Sequence, residues 1–443
     1  MKTNNYGNIP VNAYDRYNYI AKYDIASSQI QAVMKLDGRL NFNKLVRAVR
    51  LSVDAQPILG CRFIHSDPPY WKRFDDIDAI KLCEIEETDD PDEAIQRFNE
   101  GPMDMSNDPM VMVKLIRSGK YDTLALKINH VCSDGAGAKE YIHLLSDIYS
   151  RIDKDDNAFI PIPRISGRED HERLLTALEQ LNPNKEWSPM AQIPSNTWEF
   201  PWKSNRTGSI GFAVCRLPFE NLGLISKFAK NKGVTINDLI LAALFRAMFD
   251  ITKPPYGTPI DIPITIDLRK FLPNKKATAI RNFSTGVMLR IGRRANELFE
   301  ETVARVAVLT KDIKGGHPSF EIVKGLDFIE KMSFLQYCAF FKTLSQFIGL
   351  AAQNPFMVIK RCLPTLSNVG YISKPLIKFG DNTVTDAYIL PPAVRSPGIL
   401  LVASTYNGII TLAVGYYKPS VEKSDMERLL NKIRDELIEG CSQ

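Results

Sequence analysis

Histidine and cysteine, which carry most metal and redox chemistry, are scarce here: five and seven among 443 residues. The cysteines, Cys61, Cys83, Cys132, Cys215, Cys338, Cys362 and Cys441, are scattered, odd in number and never spaced as CxxC. That argues against a disulfide framework and a zinc site, and for a reducing compartment. Charge of one sign is also missing. Fifty-six Lys and Arg are interspersed with 51 Asp and Glu for a net charge of +5, with no basic run or basic aromatic stripe, so nucleic acid is not an expected partner. Met1 to Ile20 is polar and tyrosine-rich without an apolar segment, which leaves no expected signal peptide and makes the cytoplasm the expected location. One long apolar run stands out, Ser333 to Ala352, with Lys342 its only charge. A membrane span needs about 20 apolar residues, and Gln336, Lys342, Thr343, Ser345 and Gln346 interrupt this one. A buried or groove-lining helix is expected there, ahead of a membrane contact through 333–352.

What is present describes a soluble globular chain, 44% hydrophobic and 24% charged, long enough for two ordinary domains. No tandem repeat is visible. Two mixed α/β halves are expected, 1–152 and 209–443, joined by a segment at 153–208 rich in Pro, Asn, Ser, Trp and charge, with a helical patch at Glu169–Leu181. In the first half, strands are expected at Gln29–Leu36, Cys61–Ile64, Tyr70–Phe74 and Ile80–Ile85. A hairpin of Met110–Ile116 and Leu124–His130 turns about Gly119, and helices open at Asn41 and Asp90. The second half reads as a strand at Ile210–Leu217, helices at Leu222–Lys230 and Ile236–Phe249, strands at Ile260–Leu268 and Phe283–Ile291, and a helix at Ala295–Lys314. Strands at Leu366–Gly370 and Thr383–Ile389 follow, then a hairpin of Ile399–Tyr406 and Ile409–Tyr416 through Asn407-Gly408, and a closing helix from Val421 to Ile438.

The stretch Ile128-Asn129-His130-Val131-Cys132-Ser133-Asp134-Gly135-Ala136-Gly137 is the candidate reactive segment. Leu124, Leu126 and Ile128 alternate with Ala125, Lys127 and Asn129, and continuing that period places His130 on the apolar face at the strand's end. Ala136, Ala138, Tyr141, Ile142, Leu144, Leu145, Ile148 and Tyr149 then recur at roughly helical spacing, with Ser133 or Asp134 available as N-cap. The segment reads strand, tight turn, helix. Gly135-Ala136-Gly137-Ala138-Lys139 does not meet GxxxxGK[ST], so its glycines are read as allowing close packing of the turn rather than as a phosphate loop. Cys132 lies two residues from His130, past the expected end of the strand, and is expected to be a bystander rather than a thiol nucleophile.

His130, Asp134 and Gly135 fit the pattern His-x-x-x-Asp-Gly. With the opening strand and helix running to Pro57-Ile58-Leu59-Gly60-Cys61-Arg62, the Asp267-Leu268-Arg269 segment and Ser367-Asn368-Val369-Gly370 in order, the chain resembles the superfamily of chloramphenicol acetyltransferase, nonribosomal peptide condensation domains and stand-alone alcohol acyltransferases. Condensation domains double the histidine; here Asn129 holds the first position. The Asp-Phe-Gly-Trp-Gly signature of plant acyltransferases is absent. The resemblance implies a two-half α/β pseudo-dimer with mixed sheets and a V-shaped interdomain tunnel holding His130. It implies acyl transfer from acyl-CoA or acyl-pantetheine, on a separate carrier protein in the second case, to a small-molecule alcohol or amine, with no tightly bound cofactor and no metal.

Each expected role has a physical basis. An imidazole with an ordinary pKa of about 6.5 suits a base that takes the acceptor's proton at neutral pH, which is the role implied for His130. By the resemblance Asp134 holds the turn through a salt bridge to Arg269. From the residues alone, Asp134 capping its helix, Arg269 pairing with Asp267, and Arg62 as the partner of Asp134 all remain open. Ser284 and Thr285 are implied donors to the thioester oxyanion. The alternatives to an O-acyltransferase are a stand-alone condensation enzyme that forms an amide with a carrier-bound donor, and a non-catalytic thioester-binding relative.

Overall fold

Period-two alternation along Leu124–Ile128 and along Ile260–Ile266 builds the centres of two sheets in the computed structural model, which describes residues 7–152, 160–166, 168–182, 198–315, 317–347 and 361–442. The first sheet has six strands in the order Lys378–Phe379, Asn382–Leu390, Gln29–Leu36, Tyr121–Asn129, Val111–Ser118 and Cys83–Glu87, antiparallel except for the last pair. The second runs Ser284–Gly292, Pro259–Asp267, Arg361–Tyr371, Gly398–Tyr406, Ile409–Tyr417 and Ile210–Leu217, with the short strand Trp198–Glu199 attached to Arg361–Cys362. Arg361–Tyr371 lies parallel to both its main neighbours, which makes this sheet mixed as well. The hairpin at its far side closes as its Asn-Gly pair predicts, with φ of 46° at Asn407 and 78° at Gly408.

Helices cover the sheets as their apolar stripes dictate. Phe42–Ala55 and Gly135–Arg151 put Leu45, Val49, Tyr141, Ile142 and Leu145 against Ile30, Met34, Leu124, Leu126 and Ile128 on one face of the first sheet. Pro91–Glu100 covers the other face through Ala94 and Ile95. In the second half Ile236–Thr252 is apolar nearly all round and accordingly central, flanked by Phe219–Lys232, Phe299–Lys314 and Lys423–Ser442. The mixed α/β, two-half pseudo-dimeric fold implied by the resemblance is the fold found.

The expected boundary at 209 divides the chain but not the sheets. Asn382–Leu390, expected as a strand of the second half, crosses over and pairs antiparallel with Gln29–Leu36, Ile389 opposite Ala32. Alternation says that one face of a strand is buried; it does not say which sheet receives the strand. Phe334, Tyr337, Ile377, Phe379, Val402 and Tyr406 likewise join the first half's core.

Other differences are local. The N-terminal region forms a helix, Ala13–Asp24, opened by a capping box between Asn12 and Asp15. In the connecting segment, Glu169–Leu181 lays Leu174 and Leu178 against Leu268, Leu272, Phe283 and Phe320, while 153–159, 167 and 183–197 lie outside the described residues. The strand expected at Ile80–Ile85 is Cys83–Glu87, and a helix at His317–Glu330 precedes Phe334–Phe347. The latter buries Phe334, Tyr337 and Phe341 and leaves Leu335 and Phe340 exposed. Residues 348–352 of the apolar run lie outside the described residues. Among the described residues no helix is long and apolar enough to cross a membrane.

Candidate active site

The strand Tyr121–Asn129 ends in a turn written by Asn129. Its side-chain oxygen accepts the Val131 N–H at 3.0 Å and its carbonyl accepts the Cys132 N–H at 3.2 Å. His130 is pinned from both halves: its N–H donates to the Ser28 carbonyl at 2.8 Å, and its own carbonyl accepts from Asn282 Nδ2 at 3.0 Å. Asn282 also donates to the Val131 carbonyl at 2.8 Å. The ring is half-buried, and its enclosed Nδ1 has no hydrogen-bond partner among the described residues. It lines a cavity of about 120 Å³ whose lining also includes Thr265, Ser284, Ser367 and Asn368 of the second half.

Asp134 does two of the jobs left open by the sequence. One carboxylate oxygen caps its helix, accepting the Gly137 N–H at 2.8 Å. The other accepts from Arg269 Nη1 at 2.9 Å and from the Phe283 N–H at 2.6 Å. Burial pushes this carboxyl upward, but the Arg269 charge and the three hydrogen bonds outweigh burial and hold it below the usual carboxylate range. Arg269 also reaches Asp267 at 3.2 Å, Glu140 at 3.3 Å and the Arg281 carbonyl at 2.7 Å, so its open pairing with Asp267 is present too. Arg62 takes no part; its guanidinium lies 5.6 Å from the centre of the Phe74 ring.

The turn's glycines match the close-packing reading. A Cβ on Gly135 would stand 2.7 Å from Val369 of the second half, and one on Gly137 would stand 2.3 Å from Ser133 Oγ. Lys139 strengthens the same seam by donating to the Val369 and Tyr371 carbonyls. Cys132 is fully buried and donates to the Asn129 carbonyl at 3.2 Å. Burial, with Asp15 nearby, raises its thiol well above the ordinary value, which leaves little thiolate for attack.

Of the two expected oxyanion donors, Ser284 reaches the cavity wall. Thr285, one residue on, shares the strand face of Val287, Leu289 and Ile291, which pack into the second half's core. Asn282, Thr265 and Glu140 were not anticipated, and Ser367 and Lys139 stood out only as members of short motifs, without a role in the site. Thr265 carried a readable signal, since it alternates with Ile264 and Ile266 on the polar face of its strand. The pairing of that face with Ser367 carried none.

Comparison with known proteins settles the family. A model of the condensation domain matches residues 16–254, more than half of the chain. The chain belongs to the condensation-domain family. It thereby falls in the chloramphenicol acetyltransferase-like superfamily, whose general chemistry is acyl transfer or condensation. An uncharacterized protein of Mycobacterium tuberculosis, found in two strains, is 24% identical over 388 residues, covering 84% of this chain and 85% of that protein. The first condensation domain of the calcium-dependent antibiotic synthetase, solved with a substrate analogue, superposes with a TM-score of 0.68 at 15% identity, over 99% of this chain and 97% of that one. The trichothecene 15-O-acetyltransferase of Fusarium sporotrichioides gives a TM-score of 0.69 at 13% identity, over 98% and 94%.

Proposed function

We propose that this condensation-domain protein moves an acyl group from a thioester, carried by CoA or by carrier-protein pantetheine, directly to a small-molecule alcohol or amine, with His130 as general base. One observation carries the reading: the His130 ring lines a cavity completed by the other half, while its backbone is fixed by Ser28 on one side and Asn282 on the other. A base must be held within hydrogen-bond reach of the proton it takes, and a site built from two halves admits donor and acceptor together. His130 takes the acceptor's proton as the heteroatom attacks the thioester carbonyl, and returns it to the leaving thiolate. Asp134 and Arg269 hold the turn and stay out of the chemistry. The scheme uses no tightly bound cofactor. An O-acetyltransferase among the structures of like fold supports an alcohol as acceptor.

The family match favours a second reading, a stand-alone condensation enzyme that forms an amide with a carrier-bound donor. Acyl-CoA and acyl-carrier donors compared against alcohol and amine acceptors separate the two. Free thiol should appear only when acceptor is present, and His130→Ala should lower the rate by about 10²- to 10⁴-fold. A His130→Ala variant at full rate refutes the mechanism, and thioester binding without any thiol release would identify a non-catalytic relative.

A further inference from the structure

Three hydroxyl residues reach the cavity from the second sheet, Thr265, Ser284 and Ser367, and their surroundings differ. Thr265 and Ser367 stand on adjoining parallel strands, set by the register of Ile264 with Leu366, and Thr265 Oγ1 donates to Ser367 Oγ at 2.8 Å. A hydroxyl has one proton and two acceptor positions. With an acceptor position filled by Thr265, Ser367 keeps its own proton to donate, and the bond it accepts polarises the one it gives.

On its other flank Ser367 is in register with Val402. Val402, Leu400, Ile389 and Ile30 are among the apolar residues lining the same cavity. The row Thr265, Ser367, Val402 therefore passes from polar to apolar across the sheet. A carbonyl bearing an apolar chain fits this row with its oxygen at Ser367 and its chain over Val402. Ser284 lies directly opposite Asp267 across its strand pair. Asp267 also lines the cavity, and Arg269, 3.2 Å from its carboxylate, is shared with Asp134. An anion developing beside Ser284 would face a like charge; beside Ser367 it would face a second hydroxyl.

We propose that Ser367 is the catalytic donor to the thioester oxyanion and that Thr265 is its positioning residue. The proposal rests on the acyl-transfer reading above. As the acceptor heteroatom bonds to the carbonyl carbon, its proton passes to His130 and the carbonyl π pair moves onto oxygen, where the Ser367 hydroxyl holds it. Collapse re-forms the C=O bond and breaks the C–S bond, and the leaving thiolate takes that proton from His130.

The test follows thiol release from acetyl-CoA and hexanoyl-CoA with 1-butanol, benzyl alcohol or benzylamine as acceptor. Ser367→Ala should lower kcat by about 10²-fold with KM for acyl-CoA changed by less than about threefold, the magnitude of losing one oxyanion donor. Ser367→Thr, which keeps a hydroxyl, should recover part of the rate and separates the effect from misfolding. Thr265→Val should lower kcat by roughly tenfold or less, and should add nothing in a Ser367→Ala background, as expected of a group that acts through another. Ser284→Ala should cost clearly less in kcat than Ser367→Ala, short of the loss that a donor produces. A Ser367→Ala variant as fast as wild type, or the large loss falling on Ser284→Ala, overturns the proposal alone. A wild-type protein that releases no thiol with any donor and acceptor overturns the acyl-transfer reading, and this proposal with it.

Discussion

The Asp134–Arg269 pair predicts a specific ranking of variants. Replacing Arg269 by methionine keeps the length and removes the charge. Asp134, with its side chain 2% exposed, would keep the Phe283 and Gly137 N–H donors but lose the guanidinium at 2.9 Å, and the Arg281 carbonyl would lose its donor at 2.7 Å. Breaking a buried pair from one side costs about 3–5 kcal/mol. Asp134→Asn should cost less, about 1–3 kcal/mol, because an amide oxygen still accepts and only one buried polar group loses its match. In that variant Arg269 keeps Asp267 at 3.2 Å and Glu140 at 3.3 Å. The pH dependence follows from the sign of the shift. Asp134 is held below the ordinary carboxylate range, so its contribution is complete above an ordinary value of about 3.9 and is lost as pH falls through the lower folded value. In Arg269→Met burial is no longer outweighed, the carboxyl rises, and the penalty should shrink as pH is lowered from 7 toward 4. Urea unfolding followed by tryptophan fluorescence, at several pH values and alongside thiol release, reads both effects. A cost for Arg269→Met below about 1 kcal/mol, or a larger cost for Asp134→Asn, would refute the reasoning, since either is out of proportion to a broken buried pair.

Cys132→Ala should leave thiol release within about twofold of wild type, the behaviour of a residue outside the chemistry; complete loss of turnover in a folded variant would revive an acyl-enzyme route. Gly135→Ala should destabilise by about 1–3 kcal/mol and slow turnover, because its Cβ meets Val369 at 2.7 Å; Gly135→Ala combined with Val369→Ala should regain both, and failure to do so in melting and rate measurements removes the packing argument. Lys127, buried and donating to the Gly101 carbonyl at 2.6 Å, has its ammonium pushed down to about 8 by burial. The unfolded chain then binds the extra proton between that value and about 10.4, so stability should rise with pH across this window by at most about 3 kcal/mol. Lys127→Met should flatten the rise; parallel curves for the two proteins between pH 7 and 10 would refute the assignment.

Legibility from sequence varied with the range of the interaction. His130, Asp134 and Gly135 could be set together at one turn from the sequence because strand parity, N-cap chemistry and a spaced motif are all local, and the close packing of the glycines belongs to the same turn. Arg269 was placed at a strand's end by alternation, yet its partner came only from the resemblance. Long-range choices left no local trace: the destination of Asn382–Leu390, the hold of Asn282 on the His130 carbonyl, and the Thr265–Ser367 bond each join segments 100 or more residues apart. Ser284 and Thr285 looked alike as sequence, and one step of strand parity sent them to opposite faces. The helix at Ala13–Asp24 was overlooked because its buried face is built partly of tyrosine, in a stretch polar enough to read as irregular.

The crossover strand Asn382–Leu390 sets a timetable for synthesis. Gln29–Leu36, Tyr121–Asn129 and Val111–Ser118 leave the ribosome early, but the partner of Gln29–Leu36 arrives more than 250 residues after Asn129. At about 5–20 residues per second the nascent first sheet keeps an open edge for on the order of ten to fifty seconds. An edge of this kind is a template for pairing with another chain. The protein should therefore depend on chaperones while it is being made, and nascent chains stalled before residue 380 should be cut by protease within 29–36, whereas the finished protein should resist.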